Sequence, residues 1–190
     1  MYPRELKIRH RLFPYTVEQI SGQAAYDTRQ PDPGVLLNVE GRHGERKIVC
    51  KGAFVVRDGT RKENEKPPAF TIDISSPSVE YDDDIRAALE PEVSRMSDTF
   101  GFKGAFKTSV GISSSQDPAR PDLKIVLDLI KGEIQPVDFP YQLQLATGGV
   151  VIENNDKVQF SGFKTADGPG AQISFDGSLR SLENTRRLEY

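Results

Sequence analysis

Between Asp138 and Leu179 the chain changes polarity at every second residue, and it does so in three separate runs. Leu143 and Leu145 alternate with Gln142 and Gln144; Val158 and Phe160 with Lys157, Gln159 and Ser161; Ile173 and Phe175 with Gln172, Ser174 and Asp176. A period of two puts one face of each run in apolar surroundings and the other in water. A helix cannot do this, so the stretch predicts a β-meander. Asn154-Asn155-Asp156 and Ala166-Asp167-Gly168 lie between the runs and supply residues that tolerate positive φ, as tight turns require.

An earlier part of the chain carries the same arrangement. Phe13-Pro14-Tyr15 corresponds to Phe139-Pro140-Tyr141, and Ser21-Gly22 to Thr147-Gly148, with offsets of 126 residues in both cases (Phe13 to Phe139, Gly22 to Gly148). Gly41-Arg42-His43-Gly44 then answers Lys164 to Gly168, and Lys51-Gly52 answers Asp176-Gly177. This is the signature of a long repeat. It divides the chain into a partial first unit over 1–69, a second unit over 70–180 and a polar tail over 181–190, with one continuous domain as the alternative. Within these units Pro14 stiffens the entry and Gly22 marks a turn. Strands are expected at Glu5–Arg11, Gln23–Thr28, Val35–Val39 and Glu45–Val56, the last with a bulge or bend at Gly52. Further strands are expected at Phe70–Ile74, Phe102–Ile112 and Leu123–Leu129.

One stretch follows a different period. Ile85, Leu89, Val93, Met96 and Phe100 form a single apolar stripe at helical spacing, and Asp82-Asp83-Asp84 precede it with cap chemistry and favourable negative charge. Pro91 divides the stripe into two short helices and opens the second.

The motifs exclude more chemistry than they suggest. Net charge is −3 with no basic stripe, so nucleic acid is not expected as a partner. Cys50 is the only cysteine, which rules out an intrachain disulfide framework and a thiolate metal site. His10 and His43 lack a second ligand at metal-binding spacing, and His43 is expected as a solvated residue of a Gly-flanked turn. The Asp82–Asp84 run lacks the ladder of a calcium loop, and no glycine cluster leads into a phosphate-binding helix. No catalytic residue, metal or cofactor is expected, and the chain reads as non-enzymatic. No apolar run is long enough to cross a membrane, and MYPRELKIRHRLFPY has no apolar signal core. If Met1 is the native start, the expected compartment is the cytoplasm.

The order of these elements resembles the AsmA/TamB-like proteins of the bacterial envelope, which belong with the repeating β-groove, bridge-like lipid-transfer proteins. Ile72-Asp73-Ile74 with Val79–Leu89 looks like that family's strand, acidic turn and helix. Leu123–Phe175 looks like its unit of LDL, FPY, a glycine pair and a terminal hairpin. Phe13–Phe54 matches a preceding unit more loosely. The resemblance implies a mostly β fold: a long, strongly curved antiparallel sheet shaped as a half-pipe, with one short helical segment around 82–100. It also implies a groove that carries or shields phospholipid acyl chains between inner and outer membrane. As part of a longer anchored protein, the chain would then sit at the periplasmic side of the inner membrane, against neighbouring repeats or other envelope proteins. Family members carry an N-terminal membrane anchor and are usually much longer than this chain.

The apolar face that would line such a groove consists of Phe102, Phe106, Val110, Ile112, Leu123, Ile125, Leu127, Leu129, Leu143, Leu145, Val158, Phe160, Ile173 and Phe175. The same alternation fits a second reading: a non-catalytic structural or interaction module in which these residues form an ordinary closed core. An apolar content of 36% is low for a two-layer sandwich.

Overall fold

The computed structural model describes residues 6–9, 16–27, 34–55, 69–88, 91–115, 121–138, 141–154, 157–166 and 172–180. The remaining positions lie outside the described residues, among them both FPY motifs apart from Tyr141, and the expected turn residues Asn155, Asp156, Asp167 and Gly168. In chain order the elements are β1 Leu6–Arg9, β2 Thr16–Asp27, β3 Gly34–His43, β4 Arg46–Val55 and β5 Phe70–Glu80; then the helices α1 Asp83–Ala88 and α2 Pro91–Phe100; then β6 Lys103–Ser113, β7 Asp122–Ile134, β8 Leu143–Glu153, β9 Lys157–Thr165 and β10 Ser174–Arg180. Each strand pairs antiparallel with the strands next to it in sequence, so spatial order equals chain order. The sheet is open and does not close into a barrel. Every extensive contact between elements joins strands adjacent in sequence. The fold is therefore a single curved layer, mostly β, with two short helices.

The alternation places apolar residues in rows that run across the strands. One row reads Ala24, Leu37, Gly52, Ile72, Ile112 and Leu123. The next reads Val39, Cys50, Ile74, Val110, Ile125, Ile152 and Val158. A third reads Ile48, Ser76, Thr108, Leu127, Val150 and Phe160 (Ser76 being the next register step after Ser75↔Val49). The opposite face carries Lys51, Asp73, Gly111, Lys124 and Glu153 in one row, and Lys107, Asp128, Gly149 and Ser161 in another. Lys124 and Lys157 each reach Glu153, and Lys47 reaches Glu40. Like and unlike side chains are sorted to opposite faces, as period two demands.

Irregularities in the ladders lie on neighbouring strands at one level. In β5 the register slips between Ser76 and Val79; between β6 and β7 it slips at Ala105/Phe106, which leaves Ile130 as the extra residue of β7. The β8–β9 ladder slips on both sides of Thr147, and the β9–β10 ladder slips between Phe175 and Gly177. Gly148 and Gly162 have φ values of 155° and 64° at this line. Each bulge bends and further twists its strand. Aligned from β5 to β10, the bulges crease the sheet along one line and fold it into a trough. They also restore parity. Leu129 and Gly132 are three residues apart, as are Phe160 and Phe163, and Leu145 and Val150 are five apart. All are nevertheless directed into the same cluster.

The structure corrects two expectations about glycine. Gly22 does not end a strand at a turn. It lies inside β2, as its counterpart Gly148 lies inside β8, with similar φ values of 144° and 155°. Gly52 carries no bulge, since Leu37, Gly52 and Ile72 remain in regular register. A Cβ there would stand 3.1 Å from the Phe54 ring, so the glycine leaves room for that ring. The strands also run further than their apolar cores indicate, β3 to His43 and β7 to Ile134.

The helical segment forms as its capping residues dictate. Asp82 Oδ1 accepts the Ile85 amide at 3.0 Å, and the Asp82 carbonyl accepts Arg86 N–H at 2.9 Å. Pro91 opens α2. Gly101, with φ of 55°, closes it in a Schellman motif: Phe102 N–H donates to Ser97 O and Gly101 N–H to Asp98 O. Gln135 N–H and Val137 N–H then donate to Phe100 O and Thr99 O, which ties the end of α2 to the exit of β7.

Gly148→Ala would drive a Cβ into the Phe163 ring from a backbone conformation that L-residues avoid. It should destabilise the fold by about 2 kcal/mol or more in urea unfolding. Gly177→Ala meets no atom within 4 Å, and the change should stay within about 0.5 kcal/mol.

Candidate functional site

The strand registers place the expected face residues together. Val110, Ile112, Leu123, Ile125, Leu127 and Leu129 lie on the inner rows of β6 and β7, and Phe106 is opposite Leu129. Val158 and Phe160 continue these rows on β9. Phe102 stacks on Phe106 at 5.2 Å between ring centroids and meets Tyr81 edge-on at 5.6 Å. Leu143 pairs with Ile134, and Leu145 is buried two residues further on. Phe175 stacks on Phe163 at 4.8 Å. Ile173 precedes β10, and its carbonyl accepts the Thr165 amide at 2.9 Å.

The trough is lined by partly exposed side chains rather than sealed ones. Of the fourteen expected residues only Leu145 is buried, and Ile173 and Phe175 are 40% and 38% exposed. Among the described residues, Leu145, Val150 and Phe163 form a compact cluster on the crease, against which Phe102, Leu127, Leu129, Ile134, Ile152, Val158 and Phe160 pack. Ala105 is also buried, beside the crease.

Several lining residues are absent from the expected set. Phe163 escapes an alternation search because it lies three positions after Phe160, across the Gly162 bulge. Ile134 and Val150 are displaced in the same way across the bulges of β7 and β8. Glycine within an alternating run is the signal that could have located such resets. Leu37, Val39, Ile48, Ile72, Ile74 and Ile152 extend the face on β3, β4, β5 and β8 in plain alternation.

A polar cluster stands where β4, β5 and α1 meet. Arg46 donates to Glu80 Oε2 at 2.6 Å and to Asp82 Oδ2 at 2.8 Å. Lys131 approaches Glu80 at 3.7 Å, and Arg86 joins α1 to α2 through Asp98 at 2.6 Å. His43 is not the solvated turn residue expected. The turn falls at Gly44–Glu45, and His43 ends β3 with its side chain only 14% exposed. Its Nδ1 lies 2.7 Å from the Thr16 carbonyl and its Nε2 3.2 Å from Asp84 Oδ2. The hairpin strand brings the ring between β2 and α1.

Burial acts to raise the pKa of Asp82, but the Ile85 amide, the Arg46 guanidinium and the charge of His43 outweigh it and hold the carboxyl below its ordinary value. On the trough floor, burial and the nearby charge of Asp73 push the Cys50 thiol above its ordinary value, so it is a poor nucleophile. Among the described residues no group of three or more His, Cys, Asp or Glu is arranged to hold a metal ion, and no helix is long and apolar enough to cross a membrane.

No protein-family model, curated protein or solved structure matches this chain.

Asp82 is an N-cap whose folded-state pKa is depressed, so its contribution is present above the unfolded carboxylate value of about 3.9 and lost as pH falls through the folded value. Asp82→Ala should lower stability by about 1 kcal/mol at neutral pH. The gap between variant and wild type should shrink in acid-titrated urea melts at lower pH.

Proposed function

We propose that the trough is a segment of a bridge-like lipid-transport groove of the AsmA/TamB-like kind, and that phospholipid acyl chains occupy it. The observation that carries this reading is an apolar face running from β2 to β10, partly exposed strand after strand, with no second layer packed upon it among the described residues. An ordinary core of this length would be covered. Exposed apolar area on this scale marks a binding surface.

The dimensions suit the occupant. Strands about 4.8 Å apart make eight steps from β2 to β10, so the trough extends for roughly 38 Å. The hydrocarbon core of a bilayer is about 30 Å across two leaflets, so one acyl chain needs roughly half that length. A buried methylene contributes about 0.8 kcal/mol, so ten methylenes laid along a row gain about 8 kcal/mol before the entropy of immobilisation is subtracted. The inner rows are aliphatic and aromatic, with Ser76 and Thr108 as short polar interruptions. Such a lining selects the class of acyl lipid and leaves the headgroup to other parts of the assembly. The proposal assigns no catalytic group. Its partners are acyl chains and neighbouring repeats or envelope proteins, and its place is the periplasmic side of the cell envelope.

The second reading is a non-catalytic interaction module. The buried set Leu145, Val150 and Phe163 favours it, because there the trough is already filled by its own side chains.

Native mass spectrometry of the purified chain, with lipid extraction of the same sample, separates the two. Phospholipid bound at fixed stoichiometry and displaced by detergent supports the groove; a lipid-free monomer supports the module. Ile125→Glu, on the inner row, should abolish loading, whereas Lys124→Glu, on the outer face, should not. Equal loading of both folded variants would overturn the groove. Cys50 adds a direct probe. Alkylation of this single thiol should slow severalfold when the chain is loaded with phospholipid, because the ligand would cover the floor beside it.

A further inference from the structure

The sheet alone does not fix where the helical segment lies. Asp84 is in the first turn of α1, yet it contacts a residue at the end of β3. His43 Nδ1 faces the Thr16 carbonyl and Nε2 faces the Asp84 carboxylate. Both partners are acceptors. A neutral imidazole carries one N–H and one lone pair, so it can satisfy only one of them and presents a lone pair to the other. The doubly protonated ring donates to both. The surrounding charges fit an imidazolium. The β5–α1 junction presents Asp82 and Asp84, while β4 presents Arg46, whose charge is met by Glu80 and Asp82. With a side-chain exposure of 14%, the ring is shielded from water that could substitute for either bond.

We propose that His43 is a proton-operated latch that holds the start of α1 against the β3–β4 hairpin. In the protonated form the ring bridges β2 to α1. A neutral ring that keeps its proton on Nδ1 for the closer Thr16 carbonyl turns a lone pair towards Asp84, whose side chain is 65% exposed and can turn to water, so the His43–Asp84 contact is lost. Imidazole is the side-chain group that gains and loses a proton most readily near neutrality, so the doubly protonated ring is the closed form and the neutral ring the open one. This inference does not rest on the lipid reading, since it concerns the attachment of α1 alone.

The test is amide hydrogen exchange over Ile85–Arg86 in the full chain at pH 5.5 and pH 8, expressed as protection factors so that the intrinsic pH dependence of exchange cancels. Protection should fall by roughly two- to fivefold at the higher pH, the range expected for breaking one partly exposed ion pair. His43→Gln should show the lower protection at both pH values, and His10→Gln should behave as wild type. Asp84→Asn gives the sharper outcome. Its amide can donate to an unprotonated Nε2, so it keeps the bridge in the neutral form and removes the pH dependence while retaining protection. Equal protection of the wild type at both pH values would overturn the latch, as would a pH response that survives in His43→Gln.

Discussion

The arrangement depends on a mismatch between a single-layer sheet and the need to shield its apolar face. A flat meander of ten strands would leave that face open over its whole length. The bulges relieve the problem locally. Because they fall at the same level on successive strands, their bends add instead of cancelling, and the sheet folds towards its own apolar side. Residues below the line, Leu145 and Phe163, then pack with residues above it, Val150 and Phe160. Phe163, Leu145 and Val150 are buried at this line because it is where one layer can serve as two.

The crease also explains the demand for glycine at particular positions. The inner side of a fold has less room than either wall. Gly132 faces Leu129, Phe102 and Leu145, and Gly148 lies under the Phe163 ring. Side chains at these positions would hold the walls apart. Gly22 repeats the conformation of Gly148 on a strand 126 residues earlier, where Asn38 and Val39 of the next strand take the space of a side chain. The correspondence between Ser21-Gly22 and Thr147-Gly148 is thus a shared backbone solution and not only a shared spelling.

The strands and the helical interruption were legible in the sequence, because each has a period that its residues cannot disguise. Phe102, Phe106, Val110 and Ile112 specify one face of β6 by simple alternation, and Pro91 with the Asp82 cap marks where helices begin. The crease was not legible, because a bulge shifts parity without altering composition. Phe163 looks like an outward residue if strict alternation is counted from Phe160, and only the φ of 64° at Gly162 returns it to the inside. The polar cluster was hidden for another reason. Arg46 lies more than thirty residues from both Glu80 and Asp82 in sequence, and His43 lies as far from Asp84. No local pattern records which hairpin end will meet which helix start.

Two kinds of force thus hold two parts of the molecule. The sheet is set by backbone ladders and apolar rows, which hardly change with pH or salt. The attachment of α1 and α2 is set by charges and by backbone bonds at the helix ends. Interactions of that kind are individually weak, respond to ionic conditions and leave the rows of the sheet undisturbed when they break. A single-layer trough gains from this separation. Its apolar surface can remain in fixed register while the helical segment responds to the solution, because among the described residues the ion pairs that hold the helices, those of Asp82, Asp84 and Asp98, are made outside the three apolar rows.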